Sequence, residues 1–177
     1  TIATAKNWVL CVQGKVAPGA PKPVTPPVTT PATKVSYTNR ISLTRSLVTA
    51  AGYDGATVAT CTENNFSDLK AGSSEAKYAC QGVKIGIVKG YADGTFKPSS
   101  NVNRAEALKM FVNAFGLAVT GPMKICPDVD QNAWYFDTFE ITGSHSFPIY
   151  DAEGNCNPNK PLTVVDAKAW LNHAKTL

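Results

Sequence analysis

Two stretches of the chain share one pattern, in which an apolar stripe at helical spacing is ended by a glycine. In residues 39–52 the stripe consists of Ile41, Val48 and Ala51, with Thr44 on the same face, before Gly52. In residues 103–116 it consists of Ala105, Leu108, Val112 and Phe115, before Gly116. Apolar residues three and four positions apart lie on one face of an α-helix. The pattern therefore predicts two equivalent amphipathic helices.

The second of these stretches begins with a capping signal. Asn103 is an N-cap residue, and Glu106 follows three positions later, as in a capping box. A third copy begins at Thr163 and continues through Asp166 to Ala174. We therefore expect three capped helices, over 39–52, 103–116 and 163–174.

Residues outside the stripes repeat at similar offsets. An offset of 64 residues places Asn39-Arg40 on Asn103-Arg104. A further offset of 60 residues aligns Asp68 with Asp128, Ala92 with Ala152, Gly94 with Gly154 and Pro98 with Pro158. Self-similarity at a fixed period is typical of repeat proteins, whose units cannot bury their apolar faces alone. Each unit is predicted to be a short helix, a glycine-bearing turn and a second, capped helix.

The N-terminal part of the chain lies outside this pattern. Residues 1–14 fit either a short helix ended by Gly14 or a strand. Residues 18–31 contain six of the twelve prolines and predict a semi-rigid extended linker, because proline interrupts helices. The sequence shows no signal peptide, so we expect a processed product or a fragment.

Composition and charge exclude some classes of protein. Of the 177 residues, 44% are hydrophobic and only 17% are charged, with a net charge of +4. The basic residues are scattered, whereas a nucleic-acid-binding protein usually shows a basic stripe. No run is apolar and long enough to span a bilayer. A mild positive charge suits an acidic glycan as partner.

The five cysteines predict an oxidising environment. None has C-x-x-C spacing, so disulfides are favoured over a zinc site. Pairing Cys61 with Cys80 and Cys126 with Cys156 keeps each bond within one repeat. Cys11 is then left as a free thiol or as a bond to another chain.

Three motifs resemble an S-layer homology repeat. Phe66 to Leu69 is similar to its opening, Gly86 to Pro98 to its middle, and Val102 to Glu106 to its closing motif, usually Thr-Arg-Ala-Glu. The third unit keeps Cys126 to Val129, Trp134, Gly154 and Pro158. The first unit keeps only its second helix, which starts at Asn39-Arg40.

The resemblance implies a mainly α fold, in which three helix-loop-helix repeats form a pseudo-threefold arrangement with grooves between units. The expected division is an N-terminal arm or degenerate first helix at 1–17, a Pro-rich linker at 18–37, and repeats at 38–57, 58–117 and 123–177. The first of these repeats is partial, and the third is degenerate.

The resemblance also implies a partner, because members of this bacterial family anchor surface proteins to acidic envelope polysaccharide. By position, Arg40 and Arg104 point into the grooves, where a guanidinium suits a ketal carboxylate. The third repeat has Val164 there. The full set of candidate glycan-binding residues is Arg40, Arg104, Trp134, Glu106, Gly90 and Asp93.

Several of these residues also have a structural interpretation. Arg104 and Glu106 together fit a solvated helix start, Asp93 and Gly94 fit a turn, and Trp134 fits a core position. Trp134 occupies the aromatic position of the first helix, where the second unit has Ser74.

No catalytic constellation is present, and we expect no cofactor. Asp128, Asp130 and Asn132 imitate the start of a calcium loop, but Ala133 and Phe139 stand where that loop has glycine and glutamate. The sequence thus predicts a non-catalytic, extracellular anchoring or structural protein of the cell surface. The alternative is a self-assembling filament subunit, whose arm (1–37) docks Trp8 on a neighbour and bonds through Cys11.

Overall fold

The computed structural model describes residues 34–63, 66–122, 124 and 126–177. This part of the chain is mainly helical and contains no strand beyond isolated bridges. The six helices are α1 (Arg40–Ala50), α2 (Gly55–Ala59), α3 (Ser74–Lys84), α4 (Arg104–Phe115), α5 (Phe136–Ser144) and α6 (Val164–Ala174). The predicted mainly α fold is confirmed, whereas the short helix α2 was not predicted.

The three predicted repeat helices begin where their caps place them. The side chains of Asn39, Asn103 and Thr163 each accept a hydrogen bond from the backbone N–H three residues later. In α4 the Glu106 carboxylate also accepts from the Asn103 N–H, which completes the predicted capping box. Gly116 then ends α4 in a left-handed conformation, with φ 61°.

Backbone hydrogen bonds join the three repeats in a closed ring. Thr38 N–H donates to Leu162 O (3.0 Å), Leu162 N–H to Val102 O (2.8 Å), and Val102 N–H to Thr38 O (3.2 Å). These residues occupy equivalent positions, two before the first residue of α1, α4 and α6. The ring therefore places the three helix starts around a pseudo-threefold axis.

Each helix start is also held by the segment that precedes another of the three repeat helices. The N–H groups of Arg40, Arg104 and Val164 donate to the carbonyls of Ser100, Lys160 and Ser36, respectively, at 2.9–3.0 Å. Since the first N–H groups of a helix have no partner within the helix, these bonds satisfy donors that the junction would otherwise leave unpaired.

The aligned aspartates have one role in both complete repeats. The two carboxylate oxygens of Asp68 accept from Phe96 N–H and Lys97 N–H, and those of Asp128 accept from Cys156 N–H and Asn157 N–H, all at 2.7–2.8 Å. Each aspartate thus ties the start of its repeat to the loop before the closing helix.

The core lies where the repeat helices meet. Helix α1 packs against α3 and α4, and α4 packs against α5 and α6. Phe111 is fully buried at this junction and contacts the rings of Phe115, Phe147 and Trp170. Both predicted disulfides, Cys61–Cys80 and Cys126–Cys156, are present and lie within single repeats.

The predicted arm and most of the predicted linker fall outside the described residues. This applies to Trp8, Cys11 and everything up to Thr33. Residues at the end of the 18–37 range join the folded repeats, because Ser36 binds the start of α6 and Tyr37 pairs with Thr163.

Candidate functional site

Grooves lie beside the first residue of each repeat helix. The Arg40 groove, of about 350 Å³, is lined by Arg40, residues 87–91, Glu106, Lys109, Met110, Asn113 and Trp134. The Arg104 groove, also about 350 Å³, is lined by Tyr37, Arg104, Pro148, Tyr150, Asp151, Asn157, Lys160, Pro161, Thr163 and Asp166. The Val164 groove, of about 310 Å³, lies beside α1 and α6. The structure therefore brings together Arg40, Gly90, Glu106 and Trp134 of the candidate set.

The Arg40 guanidinium is held in place without an ion pair among the described residues. Its Nη2 donates to Lys89 O at 2.5 Å, and its carbon lies 4.9 Å from the ring centroid of Tyr91 and 5.1 Å from that of Phe96. Its Nε is buried and has no hydrogen-bond partner in the described part of the chain. The charge is thus positioned by a carbonyl and two aromatic faces rather than neutralised.

Glu106 lines the same groove but is engaged elsewhere. Its carboxylate accepts from Asn103 N–H at 3.1 Å as part of the α4 capping box. No carboxylate oxygen of the described residues lies within ion-pairing distance of Arg40. The groove is lined by Arg40, Lys89 and Lys109 against the single acid Glu106, so its charged side chains are mainly basic.

Trp134 and Gly90 shape the edge and wall of the Arg40 groove. Trp134 is 65% exposed and packs edge-on against Tyr135, so it is not a core residue. Gly90 lies against the ring of Phe66, where a Cβ would overlap the aromatic carbons. The absence of a side chain at Gly90 therefore permits this close packing.

Asp93 belongs to the turn of repeat two. Its carboxylate accepts from the hydroxyl of Thr95 (2.6 Å) and from its backbone N–H (3.0 Å), and Gly94 has a φ of 76°. The Thr95 hydroxyl contributes most to lowering the pKa of Asp93. This geometry fits the turn interpretation, and Asp93 does not line the groove.

Arg104 occupies the position equivalent to Arg40 but is paired. Its Nε donates to Cys156 O (2.8 Å), its Nη2 to Ile149 O (2.6 Å), and its Nη1 to a carboxylate oxygen of Asp166 (2.8 Å). Its guanidinium also lies 4.9 Å from the ring centroid of Trp170. Burial lowers the pKa of the Arg104 guanidinium, and Asp166 opposes that shift.

The charges of the Arg104 groove are balanced, with Arg104 and Lys160 facing Asp151 and Asp166. The Val164 groove has an apolar wall of Leu43, Phe111, Val164 and Leu171, and Lys168 is the cation that lines it. The grooves thus differ in charge although they share one backbone plan.

One cluster in the described residues has the composition of a metal site. Cys126, Asp128 and Cys156 lie together, but the two sulfurs form a disulfide and the carboxylate accepts two backbone N–H groups. These three side chains therefore have a structural role.

Sequence reasoning missed Lys89, Lys109 and Asp166. Asp166 carried a signal, because the 60-residue offset aligns it with Glu106. The two lysines have no motif that marks them, and only the groove geometry identifies them.

Comparison with known proteins agrees with this architecture. The S-layer homology domain model matches residues 65–108, within the predicted second repeat. The surface-layer 125 kDa protein of Lysinibacillus sphaericus is 33% identical over 124 residues, which cover 70% of this chain and 10% of that protein. Cell surface glycoprotein 1 of Acetivibrio thermocellus is 35% identical over 71 residues, or 39% of this chain and 3% of that protein.

A further relative is named an uncharacterized cell wall amidase, from Bacillus anthracis. It is 30% identical over 124 residues, which cover 66% of this chain and 23% of that protein. The chain therefore spans less than a quarter of the length of each of these relatives.

These matches indicate a location at the cell surface or cell wall and a role in anchoring or structure. Among the described residues, none of the helices has the length and hydropathy that crossing a membrane requires. The chain carries an S-layer homology domain, matched over residues 65–108.

Proposed function

We propose that this chain is a non-catalytic cell-surface module that binds an acidic envelope polysaccharide in the Arg40 groove. The observation that carries the proposal is the Arg40 guanidinium, which lines an open groove and has no carboxylate partner among the described residues. A planar guanidinium donates parallel hydrogen bonds to a carboxylate, which matches an acidic sugar substituent.

Two further features support a sugar as the ligand. The exposed ring of Trp134 lines the groove and offers an apolar face beside the charge, the kind of surface on which a sugar ring packs. Lys89 and Lys109 are also exposed there and add positive charge. An anionic polymer is therefore a better fit for this groove than a neutral one.

The Arg104 groove is a weaker candidate for an anion. An incoming carboxylate would compete with Asp166, which already accepts from Arg104 Nη1 at 2.8 Å. The proposal therefore assigns binding to one arginine groove and a structural role to the other arginine.

Co-sedimentation with isolated cell wall tests the proposed function. We expect the purified chain to pellet with intact wall and to stay in solution once the acidic substituents of the polysaccharide have been removed. Equal pelleting with both wall preparations, or none with either, contradicts the proposal. In high salt we expect less of the chain to pellet with intact wall, because screening weakens exposed charge pairs.

The second candidate is a self-assembling filament subunit. It is favoured by an exposed apolar patch made of Val35, Tyr37 and Val165, which are 57%, 46% and 76% exposed. The patch lies beside the Val164 groove, because Val164 N–H binds Ser36 O and Tyr37 pairs with Thr163. Such a patch fits the docking of an apolar segment, and the N-terminal arm with Trp8 is the proposed occupant.

Gel electrophoresis and electron microscopy test the filament proposal. We expect higher-order bands without reductant that collapse to monomer with reductant, because Cys11 is the cysteine outside the two internal pairs. Replacing Cys11 by serine should remove those bands, and Val165→Asp should shorten any filament seen in micrographs. Monomer alone on the non-reducing gel, with no polymer in micrographs, would rule the proposal out.

A further inference from the structure

The two arginine grooves share one backbone plan but differ in the pairing of their arginines. Arg40 and Arg104 are both the first residue of a repeat helix, and each donates Nη2 to an equivalent carbonyl, Lys89 O or Ile149 O. The acid that follows in the next repeat is Glu106 for the Arg40 groove and Asp166 for the Arg104 groove. Because these two acids occupy equivalent positions, their carboxylates bear directly on why Arg104 is paired and Arg40 is not.

Glu106 and Asp166 differ by one methylene group, and this length decides where each carboxylate lies. The longer Glu106 reaches back to the N-cap N–H of Asn103 at 3.1 Å and leaves Arg40 unpaired. In α6 the N-cap Thr163 accepts from Asp166 N–H at 3.0 Å, but the Asp166 carboxylate instead accepts from Arg104 at 2.8 Å. The reciprocal half of the capping box is therefore present in α4, whereas in α6 that carboxylate is used across the groove.

We infer that Asp166 acts as a built-in occupant of the Arg104 groove, where it takes the place of a ligand carboxylate. The inference rests on the proposed function of the Arg40 groove. Arg104 is oriented by two carbonyls and by the face of Trp170 independently of Asp166. The groove also has the volume of the Arg40 groove, so the two differ in whether the arginine is paired rather than in space.

The first repeat indicates which substitution opens the groove. The residue equivalent to Asp166 and Glu106 there is Ser42, which carries no charge. Asp166→Ser thus introduces a residue that the fold already accepts at this position. Without this carboxylate, Arg104 keeps its hydrogen bonds to two carbonyls, and its Nη1 loses its partner beside the groove.

The test is a gain of binding in a protein whose first groove has been disabled. The probe is a methyl glycoside that carries a pyruvate ketal, compared with the same glycoside lacking pyruvate, by isothermal titration. Wild-type protein should prefer the acidic glycoside, and Arg40→Gln should lose that preference. In the Arg40→Gln background, Asp166→Ser should restore affinity by about tenfold or more, the size of one charge-assisted hydrogen bond.

A matched variant controls for overall charge. Asp137 is an exposed acid in the first turn of α5, outside the groove, so Arg40→Gln with Asp137→Asn should gain no affinity. If Asp166→Ser lowers the unfolding temperature too far, Asp166→Asn keeps the shape and should give the same gain. A folded double variant that gains no affinity overturns the inference and leaves the proposed function intact. A wild-type protein that does not distinguish the two glycosides overturns the proposed function itself.

Discussion

Replacing Trp170 by alanine is expected to lower the free energy of unfolding by about 3–5 kcal/mol. Trp170 is fully buried, and its ring lies 5.9 Å from that of Phe111 in an edge-to-face arrangement. Its indole N–H donates to Pro148 O at 3.1 Å, and Arg104 lies over its face. The substitution removes a large volume from the junction of α4 and α6 and leaves a carbonyl without its donor.

The chain offers a matched control, because Trp134 is the same residue type at an exposed position. Trp134→Ala should change the free energy of unfolding by about 0.5 kcal/mol or less, as for most surface substitutions. Urea denaturation of both variants and the wild type measures the difference. Equal losses for Trp170→Ala and Trp134→Ala would contradict the packing of α6 against α4.

The helices of the repeats were predictable because their signals are local. A side chain at Asn39, Asn103 or Thr163 caps the helix that follows it, so the start of each helix is encoded within three residues. The disulfides followed from the repeat itself, since each predicted pair lies within one unit. The short helix α2 gave no such periodic signal over its five residues.

Whether each of the two arginines forms an ion pair was not predictable from the motif. The resemblance is stronger around Arg104 than around Arg40, yet Arg104 is the paired arginine and Arg40 the unpaired one. The difference depends on where the carboxylates of Glu106 and Asp166 lie, more than 60 residues along the chain from the arginine each one faces. Contacts across a repeat junction are set by tertiary packing, which a single motif does not encode.

The sequence likewise did not decide whether the side chain of Trp134 is buried or exposed. An aromatic residue at the start of a first helix fits either a core or a surface site. In the structure Phe139 takes the buried position and packs on the half-buried Tyr135, with ring centroids 5.7 Å apart, while Trp134 is 65% exposed. The sequence therefore left the direction of this side chain open.

Loss of Arg40 is expected to have the largest effect on binding. Arg40→Gln removes the charged, planar donor but keeps a polar side chain of similar reach. Because a hydrogen bond to a charged group contributes roughly 1.5–3 kcal/mol, affinity for the acidic polysaccharide should fall by about 10- to 150-fold. The stability change should be smaller than that of Trp170→Ala, since Arg40 is only partly buried.

Arg45 provides the control on the same helix. Its guanidinium lies over the ring of Tyr78 and outside the Arg40 groove, so Arg45→Gln removes the same charge without touching the site. Its affinity should stay within about threefold of wild type if exposed charges far from the ligand contribute little.

The most direct measurement is the dissociation constant of the isolated acidic polysaccharide for the wild type, Arg40→Gln and Arg45→Gln under one salt condition. If the unpaired Arg40 recognises the acid, the affinity should fall by about 10-fold or more for Arg40→Gln and stay near the wild-type value for Arg45→Gln. The same dissociation constant for all three folded proteins, or equal losses for the two arginine variants, would contradict it.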